Sequence, residues 1–434
     1  MTIHHRLRRG AIAAVAIAAL GLTACSGGLG GGPQSGGGED EPIRIGYVTP
    51  QTGALALFGQ ADAFVIDAMT EYFADNPVTL KDGTTRPIEI ISKDTQSDSR
   101  RAAEVASELI LEDDVDLVLV TSTPDTVNPV SDQCEANQVL CISSMAPWQP
   151  VYFGRGGTPD EGFDYTYHFF WGLEDVQRVY GAIWDATAGP DASVAMLMPN
   201  DPDGNAWSDP TTGFPPFIED NGRTFVDPGR YENGTTDFSA QISQFKTDGA
   251  EILAAIPIPP DFTTFWQQAV QQGFKPTTAT VAKAILFPAA VEALGALGDN
   301  LSTEVWWHPT SPFESSLTGQ SAADLATDFE ETTGEQWTQA IGFAEAVFEV
   351  AVAALESADS LSAEDLAAAV RRVDIDTIVG TVDFTSGPVP NVAKTPLVGG
   401  QWRLQEDGGY ELVIVVNPDE PEIPLGGEPE PIAW

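Results

Sequence analysis

The chain has 434 residues, 64 of them Asp or Glu and 20 Lys or Arg, for a formal net charge of −44, and hydrophobic residues make up 42 %. That length allows two or three domains and a large buried core. So acidic a chain is neither a general nucleic-acid binder nor a cationic membrane-surface helix, both of which need clustered Lys and Arg, and four histidines with three cysteines leave little material for a zinc cluster.

Arg6, Arg8 and Arg9 precede an uncharged apolar run from Ala11 to Leu20. The run is too short to span a bilayer and reads as the core of a signal peptide. Leu22-Thr23-Ala24-Cys25 follows. Small residues before a cysteine at this position resemble the bacterial lipobox, whose cysteine is acylated and becomes the first mature residue; an ordinary cleavage site is the alternative. On the lipobox reading residues 1–24 are a lipoprotein signal peptide. The chain is then exported and lipid-anchored to the outer face of the cytoplasmic membrane, at the cell surface or in the periplasm. Arg8-Arg9 leaves both the general and the twin-arginine export routes open. Residues 25–41, Cys25 plus a Gly-rich stretch, form a tether, and about 16 such residues reach roughly 20–25 Å. The acidic excess, with only six lysines, fits a salt-adapted surface and a GC-rich genome equally.

Beyond the tether, strands alternate with helices. Ile43, Ile45 and Tyr47 alternate with smaller or polar residues as in a strand, and Phe64, Val65, Ala68, Met69, Tyr72 and Phe73 recur at helical spacing. Ile88 to Ser92 reads as a second strand. Ala102, Val105, Ala106, Leu109 and Ile110 form the next helical stripe, with Asp98 or Ser99 as its cap. Val115 to Val120 is a near-continuous apolar run, as a parallel strand buried on both faces should be, and Val139 to Ile142 is the next strand. After a break rich in Gly and Pro the series resumes. Strands are expected at 193–198, 223–228 and 251–256, and helices at 237–246 and 261–272. Such alternation implies an α/β fold of two doubly wound parallel-sheet lobes. Ligands of such sheets bind beyond the carboxyl ends of the strands. The tail, residues 417–434, is acidic and Pro-rich and is expected to lack regular structure.

Several segments together resemble one family. Ile43-Arg44-Ile45-Gly46-Tyr47 with Thr49-Pro50-Gln51-Thr52-Gly53 and Phe58-Gly59-Gln60 is similar to the opening of the leucine/isoleucine/valine-type solute-binding proteins of ABC transporters. Asn233-Gly234-Thr235-Thr236-Asp237-Phe238-Ser239 is similar to their second-lobe strand-to-helix turn, and Ile378-Val379-Gly380-Thr381-Val382-Asp383-Phe384 to a late strand. The resemblance implies a type I periplasmic-binding-protein fold, two lobes joined by a three-crossing hinge. Residues 42–168 and 308–380 would form the first lobe, and 169–307 and 381–416 the second lobe with the hinge crossings. It also implies capture of a small organic solute, amino-acid-like or carboxylate-bearing, and delivery to the permease subunits of an ABC importer by a monomer. A ligand-sensing module for a signalling partner is the alternative.

Candidate ligand-binding residues follow from where the family's site loops fall. In the first loop they are Thr52 and Phe58. In the loop beginning at Thr121, Pro124 stands where a serine is usual, and Asp125 and Thr126 either serve instead or merely begin a helix. Ser144, Met145 and Ala146 come from the next loop. There Trp148 stands near a usual threonine, as a stacking partner or an ordinary packed aromatic, which puts α-amino-acid specificity in doubt. Trp171 lies at the first crossing. In the second lobe Asp203, Pro259 and Lys283 occupy the corresponding loops. Lys283 reads either as a partner for a ligand carboxylate, with Asp203 taking an ammonium, or as a solvated surface lysine.

Cys134 and Cys141 run from a helix end into the next strand and are expected to pair in an exported chain. No GxSxG, HExxH or P-loop motif is present, and none of His4, His5, His168 and His308 has a local partner set. No catalytic residue, metal site or cofactor is therefore assigned, and the chain is not expected to be an enzyme.

Overall fold

The computed structural model describes residues 41–434. The expected signal peptide, Cys25 and all but the last residue of the expected tether lie outside the described residues. Among the described residues no helix is long and apolar enough to cross a membrane.

Six parallel strands build the first sheet, in the order 392–393, 166–169, 140–143, 117–120, 43–49 and 88–94. Leu117–Val120 and Leu140–Ser143 are buried along their whole length. This accounts for their unbroken apolar runs, since helices cover both faces. Asp98 caps the helix Ser99–Leu111, accepting from the Arg100 and Arg101 N–H groups. The helix Ala340–Ser357 returns late in sequence to pack on the helix Ala56–Asp75 and the strand Leu140–Ser143. It is buried on nearly every side, as its all-round apolar sequence requires.

The second sheet has seven strands, in the order 410–416, 398–404, 302–305, 278–281, 252–255, 194–197 and 225–226. The last five run parallel, but Val398–Leu404 and Tyr410–Val416 form an antiparallel hairpin on the edge beside Ser302–Val305. The second lobe is therefore mixed rather than purely parallel.

The chain passes between the sheets at residues 170–172, 306–308 and 394–397. Trp306-Trp307-His308 follows the strand Ser302–Val305 and lies outside it. Trp306 is fixed at its N–H by Gln339 Oε1, 2.8 Å away, while Gln339 Nε2 donates to the Glu304 carbonyl at 3.1 Å. One expected boundary moves. Val392 and Ala393 pair with His168 and Phe169, so residues 381–393 belong with the first lobe and the third crossing lies after them. The tail has no helix or strand, as expected, but it lies along the second lobe. Ile432 N–H donates to the Thr277 carbonyl, and Trp434 sits over Trp266 with ring centres 5.7 Å apart.

The expected Cys134–Cys141 bond is not made: both are free, buried thiols. Cys141 Sγ lies 3.8 Å from the Ser131 hydroxyl. Burial pushes the Cys134 thiol up, which suppresses the thiolate that disulfide exchange requires. In denaturant without reductant, an alkylating agent is expected to label both cysteines, read by mass. In the native state it should label neither.

Gly342 lies in the helix Ala340–Ser357 where a Cβ would come 2.3 Å from Trp307 Cδ1. Gly342→Ala should therefore destabilise by about 1–3 kcal/mol through overpacking, measured by urea denaturation.

Candidate functional site

Parallel strands deliver their carboxyl-terminal loops to one edge, and here the loops of both sheets meet around one cavity. The first lobe contributes Phe58, Thr123 and Pro124, and Met145 to Pro147; the first crossing adds Phe170 and Trp171. The second lobe contributes Asp203, Ile256, Lys283, Leu286 and Glu304, and the second crossing adds Trp306. The cavity is about 30 Å3, room for water but not for an organic molecule. The two lobes are thus closed on each other.

Three of these loops carry non-glycine residues in the left-handed backbone region: Ser122 at φ 106°, Met145 at φ 65° and Lys283 at φ 64°. Each conformation costs of order 1–3 kcal/mol, and such strain clusters at ligand-gripping sites. The Met145–Ala146 loop is held from behind by His168. Burial lowers the His168 pKa to about 4, so the ring is neutral. Its Nε2 donates to the Ala146 carbonyl at 2.7 Å, and Nδ1 faces the Ser143 hydroxyl at 2.9 Å.

Lys283 is the charged centre of the second lobe. Its ammonium donates to Asp203 Oδ2 at 2.8 Å and Asp201 Oδ2 at 3.1 Å, and all three residues are at least 95 % buried. Burial opposes the ammonium, but Asp201, Asp203 and Asp125 outweigh it and hold the Lys283 pKa above its ordinary range. Asp201 is fully engaged. Besides the lysine it accepts from Gly204 N–H at 2.8 Å and Asn233 Nδ2 at 3.1 Å, and against its burial it is held below its ordinary value. Asp203 has only the lysine, and burial with the neighbouring Asp201 raises it to about 6. Behind Lys283, Glu304 accepts from the lysine's own N–H at 3.2 Å and from the Tyr180 hydroxyl at 2.6 Å, and burial raises it to about 7. Asp125 faces the cluster from the first lobe and is itself raised by burial.

Several polar atoms at the cavity are buried without a partner: Asp203 Oδ1, Thr123 Oγ1, Trp171 Nε1 and Trp306 Nε1, with Ser122 Oγ just behind. Buried polar groups are nearly always satisfied, so the four on cavity-lining residues are donors and acceptors left open to a bound molecule. Among the described residues no group of His, Cys, Asp or Glu is placed to hold a metal ion.

Of the residues expected from the sequence, the cavity gathers Phe58, Met145, Ala146, Trp171, Asp203 and Lys283. Asp125 stands within electrostatic reach without lining it. Others are engaged elsewhere. Thr52 is exposed and bonds Asp94; Thr126 donates to the Thr123 carbonyl; Ser144 donates to the Phe169 carbonyl at 2.6 Å. Pro259 is the first residue of the helix Pro259–Gln271. Trp148 packs on Tyr152 and Phe153 at the first crossing and points its N–H at Glu174. The solvated reading of Lys283 does not hold: the residue is buried, and two of its three ammonium donors go to Asp201 and Asp203. The sequence reading missed Thr123, Phe170, Glu304 and Trp306. Glu304 left a signal, an acid inside a strand whose every residue is buried.

A family model described as periplasmic binding protein matches residues 42–407. The fold is similar to that of a leucine-binding protein, LivK, from Thermotoga maritima, at 18 % identity over 87 % of this chain and 99 % of that one, with a TM-score of 0.68. It is also similar to the branched-chain amino acid transporter substrate-binding protein LivJ from Streptococcus pneumoniae, solved in complex with isoleucine, at 15 % identity over 86 % and 100 % of the chains and a TM-score of 0.66. A solute-binding protein of an ABC transporter from Rhodopseudomonas palustris, in complex with 3,4-dihydroxybenzoic acid, matches at 15 % identity, 88 % and 100 % coverage and a TM-score of 0.68. No curated protein matches the chain.

Removing the lysine leaves buried carboxylates uncompensated, so Lys283→Met should destabilise by about 3–5 kcal/mol at pH 8. The loss should shrink at pH 5, where Asp203, already raised to about 6, takes a proton; denaturation at both pH values tests this. In the first lobe Asp62 is fully buried, accepts from the Thr49 and Thr121 hydroxyls, and is raised by burial to about 6. A carboxyl raised in the folded state contributes stability that is present below its unfolded value, near 4, and lost as pH rises through 6. Asp62→Asn should thus stabilise by about 1–3 kcal/mol at pH 8 and have little effect near pH 4.

Proposed function

This chain belongs to the periplasmic binding protein family, and we propose that it is an exported solute-binding lipoprotein that captures a small organic molecule between its lobes and delivers it to an ABC importer. The supporting observation is the ring of partnerless buried polar atoms, contributed by both lobes and by two of the crossings around one cavity. A molecule bridging them makes contacts available only when the lobes are together, and such differential contacts are what drive closure.

The crossings suit that motion. At the third, Lys394 pairs with Glu174 at 2.8 Å and Asp175 at 2.7 Å, while Arg178 pairs with Asp175 at 2.7 Å and Asp419 at 2.6 Å. These pairs are partly exposed and so are each worth under about 1 kcal/mol, which lets them re-form as the hinge turns. At the first crossing a Cβ on residue 172 would come 2.3 Å from Trp148 Nε1, so glycine lets the two segments touch. Cys25, at the head of the tether, would hold the domain beside the permease through its lipid.

A thermal-shift panel of amino acids, amides, carboxylates, amines and sugars on the purified chain tests the reading. A ligand at 100 times its Kd adds about 2.7 kcal/mol, a shift of several degrees. Cells lacking the chain are expected to lose uptake of that solute. Uptake that persists unchanged would detach the protein from transport.

A further inference from the structure

We propose that the solute is an organic cation, an amine or ammonium with an apolar body and an uncharged oxygen, held by the free oxygen of Asp203. The inference rests on the solute-binding reading above and names the ligand class for that cavity.

The charges facing the cavity are unequal in number. Asp203 and Glu304 line it, Asp201 and Asp261 are buried within electrostatic reach of Lys283, and Asp125 approaches from the other lobe. Against these stands Lys283, whose ammonium already donates to two carboxylates. An anionic ligand would meet this surplus of carboxylates with the neighbouring cation taken. In a buried site, poorly screened by water, that repulsion is severe.

A cation meets the opposite situation. Asp203 is 2 % exposed, and its Oδ1 has no partner while Oδ2 carries the lysine. That oxygen is an unspent acceptor on a residue that lines the cavity, and a charge-assisted hydrogen bond to it is about twice as strong as a neutral one. Around it stand the rings of Phe58, Phe170, Trp171 and Trp306. Aromatic rings attract a desolvated cation through their faces and cover an apolar body. The two indole N–H groups, both partnerless, call for an oxygen acceptor on the ligand. Because the closed cavity has room for no more than water, the cation enters with the lobes apart and the lobes close less fully around it.

Two shape-matched series, each changing only charge, test this by calorimetry on the purified full chain at pH 7.5 and 0.15 M salt. One is choline, 3,3-dimethylbutanol and 3,3-dimethylbutyrate; the other is tyramine, tyrosol and 3-(4-hydroxyphenyl)propionate. The cation of at least one series should bind tenfold or more tighter than its neutral and anionic mates. Asp203→Asn should weaken that binding at least tenfold while the far-ultraviolet circular dichroism stays that of the parent, whatever the change in melting temperature that loss of the buried pair brings. Equal or tighter binding of a neutral or anionic mate, or cation binding that Asp203→Asn leaves intact, overturns the inference. If instead a carboxylate, sugar or zwitterion from the broader thermal-shift panel binds and no cation does, the inference falls while the solute-binding reading stands. If nothing in either set binds and mass spectrometry of the denatured protein finds no co-purified small molecule, both fall.

Discussion

The buried ammonium of Lys283, set between Asp201 and Asp203, is the interaction on which the rest of the cleft depends. Removing each of these charges from water costs several kcal/mol, and mutual attraction recovers that only where hydrogen bonding is complete. It is complete at Asp201, with the lysine, Gly204 N–H and Asn233 as partners. It is incomplete at Asp203. Three apolar side chains of equal volume would make a more stable second lobe. The cluster therefore makes sense as a holder of charge at the cavity, and its partnerless oxygen belongs to Asp203, a residue that lines it.

The lobes and the joints between them are built differently. Within the lobes the strands are apolar runs with fully buried faces, and the helix Ala340–Ser357 is packed on nearly every side. Dense packing of this kind does not deform gradually. The joints instead rely on groups that tolerate rearrangement: partly exposed ion pairs at Lys394 and Arg178, and a glycine against Trp148. Only the second crossing is rigid, pinned by Gln339 to both Glu304 and Trp306. Because Glu304 also receives the Lys283 N–H, that pin connects the charged cluster to the hinge through a single residue.

Much of this was legible in the sequence, for a definite reason. A parallel strand covered on both faces has to be apolar throughout, so Val115 to Val120 declared itself, and Asp98 declared the helix it caps. The loops at the strand ends could then be located, which is why Phe58, Met145, Asp203 and Lys283 were found together. Side-chain direction was not legible. Thr52 and Trp148 occupy the right loops but turn to Asp94 and Glu174. The two-residue strand Val392–Ala393 carries too little pattern to reveal which sheet it joins. The partnership of Lys283 with Asp201 and Asp203 spans about 80 residues of sequence, and no periodicity encodes such a contact.

The acidity of the chain and the acidity of the cleft have the same sign but act at different ranges. A net charge of −44 is spread over a large surface. At physiological salt its field decays over about 8 Å, so a solute approaching through solvent feels little of it until it nears the cleft. Surface charge on this scale serves solubility and keeps copies apart. Inside the closed cleft bulk solvent is excluded, and Asp203 and its neighbours act across a few ångströms with weak screening. A handful of carboxylates there discriminates between ligand charges more strongly than all the rest outside. The selectivity of the site is accordingly set by which oxygen is left without a partner once Lys283 has taken its two.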